Sequence, residues 1–234
     1  MCPLCHVVVE IASASHSLEL LYGQSELYAG YGSISVELRS RGWRVTTVEC
    51  SSKHQPTIQA DVVAWERYRS RGYIKAHGVP DAVVAGPPCC TRSTEAWGRH
   101  REVGTGTGKP TSAEAQYADE REAPAAWLFV QRCIQLNPSL VYVLENPDTV
   151  AWAQVPVLQP HRAAQEFRHV NYGDYGWPLL KPTCLVTNMR WWRQLPKVAK
   201  TSKEKWGKAP GQLKPRMPPA LTSSLADAMC AQAP

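Results

Sequence analysis

Short apolar runs alternate along this chain with helix-like stretches, and Gly or Pro separates many of them. Ser25–Ala29 (SELYA) reads as a first strand, followed by a glycine-containing turn over Gly30–Ser33. Ile34–Arg41 is helical, with Gly42 as its stop. Arg44–Glu49 (RVTTVE) is the next strand, and Asp81–Ala85 (DAVVA) is a third whose continuous apolar character suits burial on both faces. Gly98–Thr111 is rich in Gly and Thr and reads as a mobile loop. Ser112–Leu136 is a long helix broken near Pro124. Ser139–Leu144 (SLVYVL) is a fourth strand, Phe167–Tyr172 and Thr183–Thr187 are two more, and Leu221–Met229 is a last short helix. Residues 1–24 are irregular and read as a leader, and the Lys/Pro-rich stretch from Lys197 to Pro219 reads as loop. There is no internal repeat. Strands alternating with helices predict an α/β fold, a doubly wound and mostly parallel Rossmann-like sheet. In such sheets ligands bind beyond the carboxyl ends of the strands.

Composition narrows the class. With 234 residues, 44% of them hydrophobic, the chain can bury the core of one large domain. No apolar run approaches the roughly 18 residues of a membrane span. The start, MCPLCHVVVEIASAS, lacks the basic segment of a signal peptide, which makes an intracellular protein the expectation. Eight cysteines are too few for a disulfide scaffold and suit a reducing compartment. CPLCH at 2–6 has the spacing of half a zinc site, but no second pair accompanies it and no metal is expected. The net charge of +6 is concentrated. Between Lys181 and Arg216 stand ten Lys or Arg and one acid, Glu204, so this segment carries +9 and the remainder −3. Trp191, Trp192 and Trp206 are interleaved with these charges, a pattern that suits either a polyanion with stackable bases or a basic surface over packed tryptophans.

The strand tips carry the candidate chemistry. ELYAGYGSIS places Gly30 and Gly32 where a βα turn lets a ligand approach the backbone, although the third glycine of a dinucleotide fingerprint is absent. Glu49 ends the second strand where a carboxylate can accept ribose hydroxyls, and Asp61 follows in position for an adenine amino group. GTGTGKPTS at 104–112 imitates a phosphate loop but lacks its first glycine, its Ser/Thr after the lysine and a preceding strand. In DAVVAGPPCC, Pro87 and Pro88 fix φ and remove two donors, so the strand ends and Cys89 stands at the sheet edge. Such a thiol reads either as structural or as a nucleophile whose pKa a helix N-terminus lowers; Cys90 is then the neighbour that packs. VLENPDT ends the fourth strand on Glu145, a partly desolvated acid able to hold a proton, with Asn146 offering amide contacts and Pro147 stopping the strand.

Together these segments resemble the C5-cytosine-specific DNA methyltransferases, in particular their short phage- and virus-type members. ELYAGYGSISVELRSRGW is similar to the family's first motif, AGPPC to its nucleophile motif and LENP to its glutamate motif, with Pro147 where many members have Val. YGDYGWPLLKPTCLVTN resembles a later motif that usually carries two arginines; here Lys181 and Thr183 take those places. RMPPALTSSLADAM is similar to the closing segment. The resemblance implies a catalytic domain over 25–188, a minimal basic recognition segment over 189–216 and a C-terminal segment, 217–234, packing back on the catalytic domain. It implies S-adenosyl-L-methionine as cofactor and S-adenosyl-L-homocysteine as product, bound by Tyr28, Ala29, Gly30, Tyr31, Gly32, Glu49, Cys50, Asp61, Val62 and Pro87. It further implies that Cys89 would attack C6 of cytosine and Glu145 serve N3, with Asn146 and Lys181 completing the catalytic set. The expected partner is double-stranded DNA with the target base flipped out. Arg99, Arg101 and Lys109 from the loop and Arg190, Arg193, Lys197, Lys200, Lys203 and Lys205 from the basic segment would hold it. The small recognition segment leaves room for a specificity partner. The chain is expected as a monomer in the cytoplasm, nucleoid or nucleus. RNA cytosine as acceptor and a non-catalytic nucleic-acid-binding relative remain the alternatives.

Overall fold

Side chains alternate between two cores on opposite faces of one sheet. In the fourth strand Val83 and Ala85 enter one core and Ala82 and Val84 the other; in the fifth, Tyr142 and Leu144 part from Val141 and Val143. A strand buried on both faces needs this continuous apolar composition. The computed structural model describes residues 22–93, 97–104, 106–164, 166–194, 204–205 and 217–232.

The strands are β1 (Gly23–Leu27), β2 (Arg44–Glu49), β3 (Ile58–Gln59), β4 (Ala82–Ala85), β5 (Val141–Pro147), β6 (Phe167–Asn171), β7 (Leu179–Leu180), β8 (Pro182–Thr187) and β9 (Glu204–Lys205). Seven of them form one sheet in the order β3-β2-β1-β4-β5-β8-β6. The first five run parallel, and β8 is antiparallel to both β5 and β6. This is the doubly wound, mostly parallel, Rossmann-like sheet that the alternating strands and helices predicted. Helix α1 (Ser33–Ser40) and α8 (Pro219–Cys230) cover one face through Ile34, Leu38, Leu221 and Leu225. The other face is covered by α2 (Val62–Tyr68), α3 (Ser70–His77) and α5 (Ala123–Leu136) through Trp65, Ile74, Phe129 and Val130. Helix α8 also packs through polar contacts, with Arg41 paired to Asp227 and the Trp43 indole N–H on Cys230 Sγ. Among the described residues, no helix is long and apolar enough to cross a membrane.

The differences from the sequence reading have local causes. β1 begins at Gly23, inside the expected leader, and ends at Leu27, because Tyr28 turns the chain with φ +56°. β5 does not stop at Leu144 but pairs with β8 through Pro147, whose missing N–H costs nothing at the last pair. Pro124 does not break the long helix: α4 (Ala113–Tyr117) continues through one π-helical turn, Ala118–Glu122, into α5, and Pro124 sits in the first turn of α5. β3, α2 and α3 were not foreseen. α2 is capped by Asp61, whose Oδ1 accepts from Ala64 N at 2.8 Å.

The chain leaves β1 toward β2 on one side and leaves β4 toward β5 on the other, so the direction of winding reverses between β1 and β4. The turns after these two strands flank the resulting crevice. A packing prediction follows from the face away from it. Phe129 is fully buried, with its ring centroid 5.1 Å from that of Trp65. Phe129→Ala should lower the unfolding free energy by about 3–5 kcal/mol in urea titration; a loss below about 1 kcal/mol would show that this core is not close-packed.

Candidate active site

Tyr28, Ala29 and Gly30 after β1, Gly86 to Cys89 after β4, Glu145 on β5, and Tyr172 and Lys181 beside β8 line one cleft of about 210 Å³. Strand alternation explains why Glu145 faces it. Glu145 shares its side of β5 with Val141 and Val143, the side on which Tyr172 packs. Its Oε1 accepts from Lys181 Nζ at 3.0 Å and from the Tyr172 hydroxyl at 3.1 Å. Lys181 also lies 4.7 Å from the centroid of the Tyr172 ring. Burial works against the lysine's charge, but Glu145, Tyr172 and Cys89 together hold its ammonium well above its usual range. Thr183 Oγ1 donates to the Lys181 carbonyl at 3.2 Å, so the second position of the expected basic pair shapes the first.

Asn146 points to the opposite side of β5. It is fully buried, and its Nδ2 donates to the Pro87 carbonyl at 2.7 Å. Asn146, expected in the catalytic set with amide contacts to offer, does not line the cleft; its amide contact is to the turn that carries the thiol. Cys89 is partly buried and lines the cleft, whereas Cys90 is exposed and does not pack, contrary to expectation. A second correction concerns the thiol's acidity. No helix starts at Cys89; the residues that follow form a turn in which Arg92 N and Ser93 N donate to the Cys89 carbonyl at 2.9 and 3.0 Å. Burial pushes the Cys89 thiol above its ordinary pKa, with Lys181 acting the other way.

The glycine turn is built for close approach. Gly30 and Gly32 sit at φ +49° and +62°, and Tyr28 between strand and turn adopts the left-handed region at a cost that only glycine escapes. The Gly30 amide donates to Glu49 Oε2 at 3.3 Å, and Ser51 N donates to Glu49 Oε1 at 3.0 Å. Partial burial opposes the charge on Glu49, but these amides and the Cys50 thiol outweigh it and hold the carboxyl below its usual range. Of the residues expected at a cofactor, Tyr28, Ala29, Gly30 and Pro87 line the cleft. Glu49 and Cys50 stand behind the turn, Gly32 starts α1, and Tyr31 is exposed with its ring edge against His54. Asp61 is exposed but already caps α2, and Val62 is 1% exposed, with its side chain in the core rather than in the cleft. The cleft also takes in residues that sequence reasoning missed: Glu26, Ser33, Ile34, Tyr172 and Met217. Ser33 Oγ accepts from Met217 N at 3.3 Å, which brings the C-terminal segment to the cleft wall. Glu26 was legible only as the one charge within β1, whose sequence is GQSEL.

The expected nucleic-acid contacts separate into groups. Arg99 and Lys109 are exposed on the loop beside the Cys89 turn. Far from being slack, that loop is tied by Glu102 N to Lys109 O at 3.0 Å and Thr111 N to His100 O at 2.8 Å. Arg101 is corrected: it is 2% exposed and its guanidinium pairs with both oxygens of Asp119, so it faces inward rather than toward a phosphate. Lys205 pairs in register with Leu180, next to Lys181. Arg190 and Arg193 are exposed but follow the far end of β8. Asn188 there bonds Tyr142 N and Leu140 O at the start of β5, roughly 10 Å of strand before Glu145. Lys197, Lys200 and Lys203 lie outside the described residues, as do Cys2 and Cys5.

No protein-family model matches the chain, and no curated protein matches it. Among solved structures it is similar to a prophage-encoded protein from E. coli described as a DNA modification methyltransferase, at 16% identity and a TM-score of 0.45, covering 71% of this chain and 46% of that one. It is also similar to the Entamoeba histolytica methyltransferase EhMeth, at 11% identity and a TM-score of 0.45, covering 78% of this chain and 58% of that one. The chain spans about half the length of each. Likenesses this distant carry nothing about activity, and the fold rests on the strand order itself.

Glu26 generates a prediction. It is 7% exposed and accepts from both the amide and the hydroxyl of Ser35, yet burial outweighs these bonds and raises its carboxyl from 4.5 to about 7. A carboxyl raised on folding stabilises fully below the lower value and loses that contribution as pH rises through the higher one. The ligand-free protein should lose about 3 kcal/mol between pH 4.5 and 8 that Glu26→Gln does not lose. Urea titrations at the two pH values check this; equal losses in both proteins would contradict it.

Proposed function

We propose that this protein is an S-adenosylmethionine-dependent DNA cytosine-C5 methyltransferase. The observation that carries the reading is one cleft, at the reversal of winding, into which a thiol from β4, a carboxyl from β5 and a lysine beside β8 all open opposite a glycine turn. The glycine turn suits the cofactor: its backbone is accessible, and the carboxyls of Glu26 and Glu49 lie near it to meet a cationic ligand. Tyr28, Ala29 and Gly30 would hold S-adenosylmethionine, with Glu49 behind them; when bound, it supplies an electrophilic methyl group.

The remaining chemistry belongs to the chain. C5 of cytosine is a weak nucleophile until something adds at C6. Cys89 forms the S–C6 bond, the C5=C6 electrons move into the ring, and N3 takes up a proton. Glu145 faces the same cleft, and its Oε1 is occupied by Lys181 and Tyr172. Oε2, on the side of Gly86, is then the oxygen that meets N3. After C5 has gained the methyl group, its proton is lost and the S–C6 bond breaks, which restores the ring and the thiol. Because burial raises the thiol's pKa in the free protein, the ammonium of Lys181 is the group placed to favour the thiolate. A duplex base must be extruded to reach this cleft, at a cost of a few kcal/mol. Arg99 and Lys109 would contact the backbone around it.

Methyl transfer from radiolabelled S-adenosylmethionine to duplex DNA and to structured RNA tests the assignment. DNA should be the acceptor, with C5-methylcytosine as product. Cys89→Ala should lower transfer by about 10³-fold or more while the Kd for DNA changes by less than about threefold. A variant that keeps most of its activity removes the covalent scheme, and transfer to RNA alone reassigns the substrate.

A further inference from the structure

The Cys89 turn opens with two residues that have no N–H, so only their carbonyls can be bonded from outside. Asn146 holds that of Pro87. Arg92 Nη1 donates to that of Pro88 at 2.9 Å, while the Arg92 amide donates to the Cys89 carbonyl at 2.9 Å. One residue thus grips the nucleophile through its main chain and the preceding residue through its side chain. The guanidinium is 0% exposed and does not line the cleft, so it cannot touch a substrate. Its other donors are fixed as well. Nε donates to Asp119 Oδ1 at 3.0 Å, Nη2 donates to the Ala118 carbonyl, and its plane lies 5.5 Å from the Trp152 ring centroid. Asp119 is held in turn by Arg101, at 2.8 and 2.9 Å, and Arg101 Nε donates to the Thr91 carbonyl at 2.6 Å within the same turn.

Two buried guanidinium groups sharing one carboxylate are not an economical source of stability, since apolar residues of similar volume do as well in such places. What the arrangement supplies is directional: planar forks whose donors meet the carbonyls of Pro88, Thr91 and Ala118. We propose that Arg92, locked by Asp119, is a positioning residue that fixes the Cys89 turn so that the thiol meets C6 of the substrate base. The inference rests on Cys89 being the nucleophile.

Arg92→Met and Arg92→Lys test it. Both leave Asp119 paired with Arg101. Methionine keeps the volume and removes every donor; lysine can reach Pro88 or Asp119 but cannot fork between them. In Arg92→Met, kcat for methyl transfer to duplex DNA should fall about 100-fold, the loss expected for a misplacement near 1 Å. KM for DNA and the cofactor Kd should stay within about threefold. Arg92→Lys should recover part of kcat. A folded Arg92→Met variant with wild-type kcat, or losses appearing only in KM, would overturn the proposal. If neither variant folds, hydrogen exchange on the wild-type protein decides. The Arg92 and Ser93 amides, both donated to Cys89 O, should exchange at least about 100-fold more slowly than free amides, and exchange at the free rate overturns the proposal. Absence of methyl transfer in the wild-type protein would instead sink the nucleophile reading, and the exchange rates would still report on the turn.

Discussion

Everything at the cleft depends on a turn that cannot hold itself. Gly86, Pro87 and Pro88 take the chain out of β4, and two of the three have no amide proton. Pairing with a neighbouring strand therefore cannot fix the residue that comes next, and only the Arg92 and Ser93 amides within the turn meet its carbonyl. The carbonyls of Pro87 and Pro88 are held instead by side chains from β5 and from within the turn, at 2.7 and 2.9 Å. Asn146 acts here from the opposite face of the strand that presents Glu145, so one strand places the acid and steadies the thiol's support together. Loss of order in that turn would separate the two groups without disturbing either core.

A second constraint is electrostatic. Glu145 and Lys181 each have 12% of the side chain exposed and lie 3.0 Å apart, with Tyr172 bonded to the same carboxyl oxygen. In so dry a place an unpaired charge is costly, which ties the three groups to one arrangement. That arrangement leaves one carboxyl oxygen for a ligand and sets an ammonium where it can act on the thiol. The strand order then decides which basic residues can serve the cleft. Because β8 runs antiparallel, Lys181 stands at its near end, while Arg190 and Arg193 follow its far end. A single stretch of positive sequence is thus divided between opposite ends of the sheet.

The legible parts of this molecule were those with strong local signals. The β-branched run of β2, the apolar runs that became β4 and α8, and the glycine turn after β1 are carried by period, composition and glycine. What stayed hidden depends on tertiary neighbours. Arg101 reads as one cation among several on a basic loop, and only its meeting with Asp119 turns it inward. Val62 follows Asp61 in a segment suited to a cofactor, but the cap that Asp61 makes starts a helix whose first side chain enters the core. Tyr172 and Met217 lie far from Cys89 in sequence, and only the return of β8 and the docking of α8 bring them to the cleft. The lowered thiol pKa expected from a following helix is replaced by a raised one, because burial of the thiol dominates and the chain after Cys89 turns back on its carbonyl.

The proposed chemistry turns on a bond between Cys89 and C6 of an extruded cytosine. Incubating the protein with S-adenosylmethionine and a duplex carrying 5-fluorocytosine tests it directly, because fluorine at C5 cannot leave as a proton does and the enzyme stays attached. The expected result is a single denaturation-resistant protein–DNA species whose peptide map places the modified thiol at Cys89. A methylated 5-fluorocytosine product without any attached species, or an adduct on another cysteine, would contradict it.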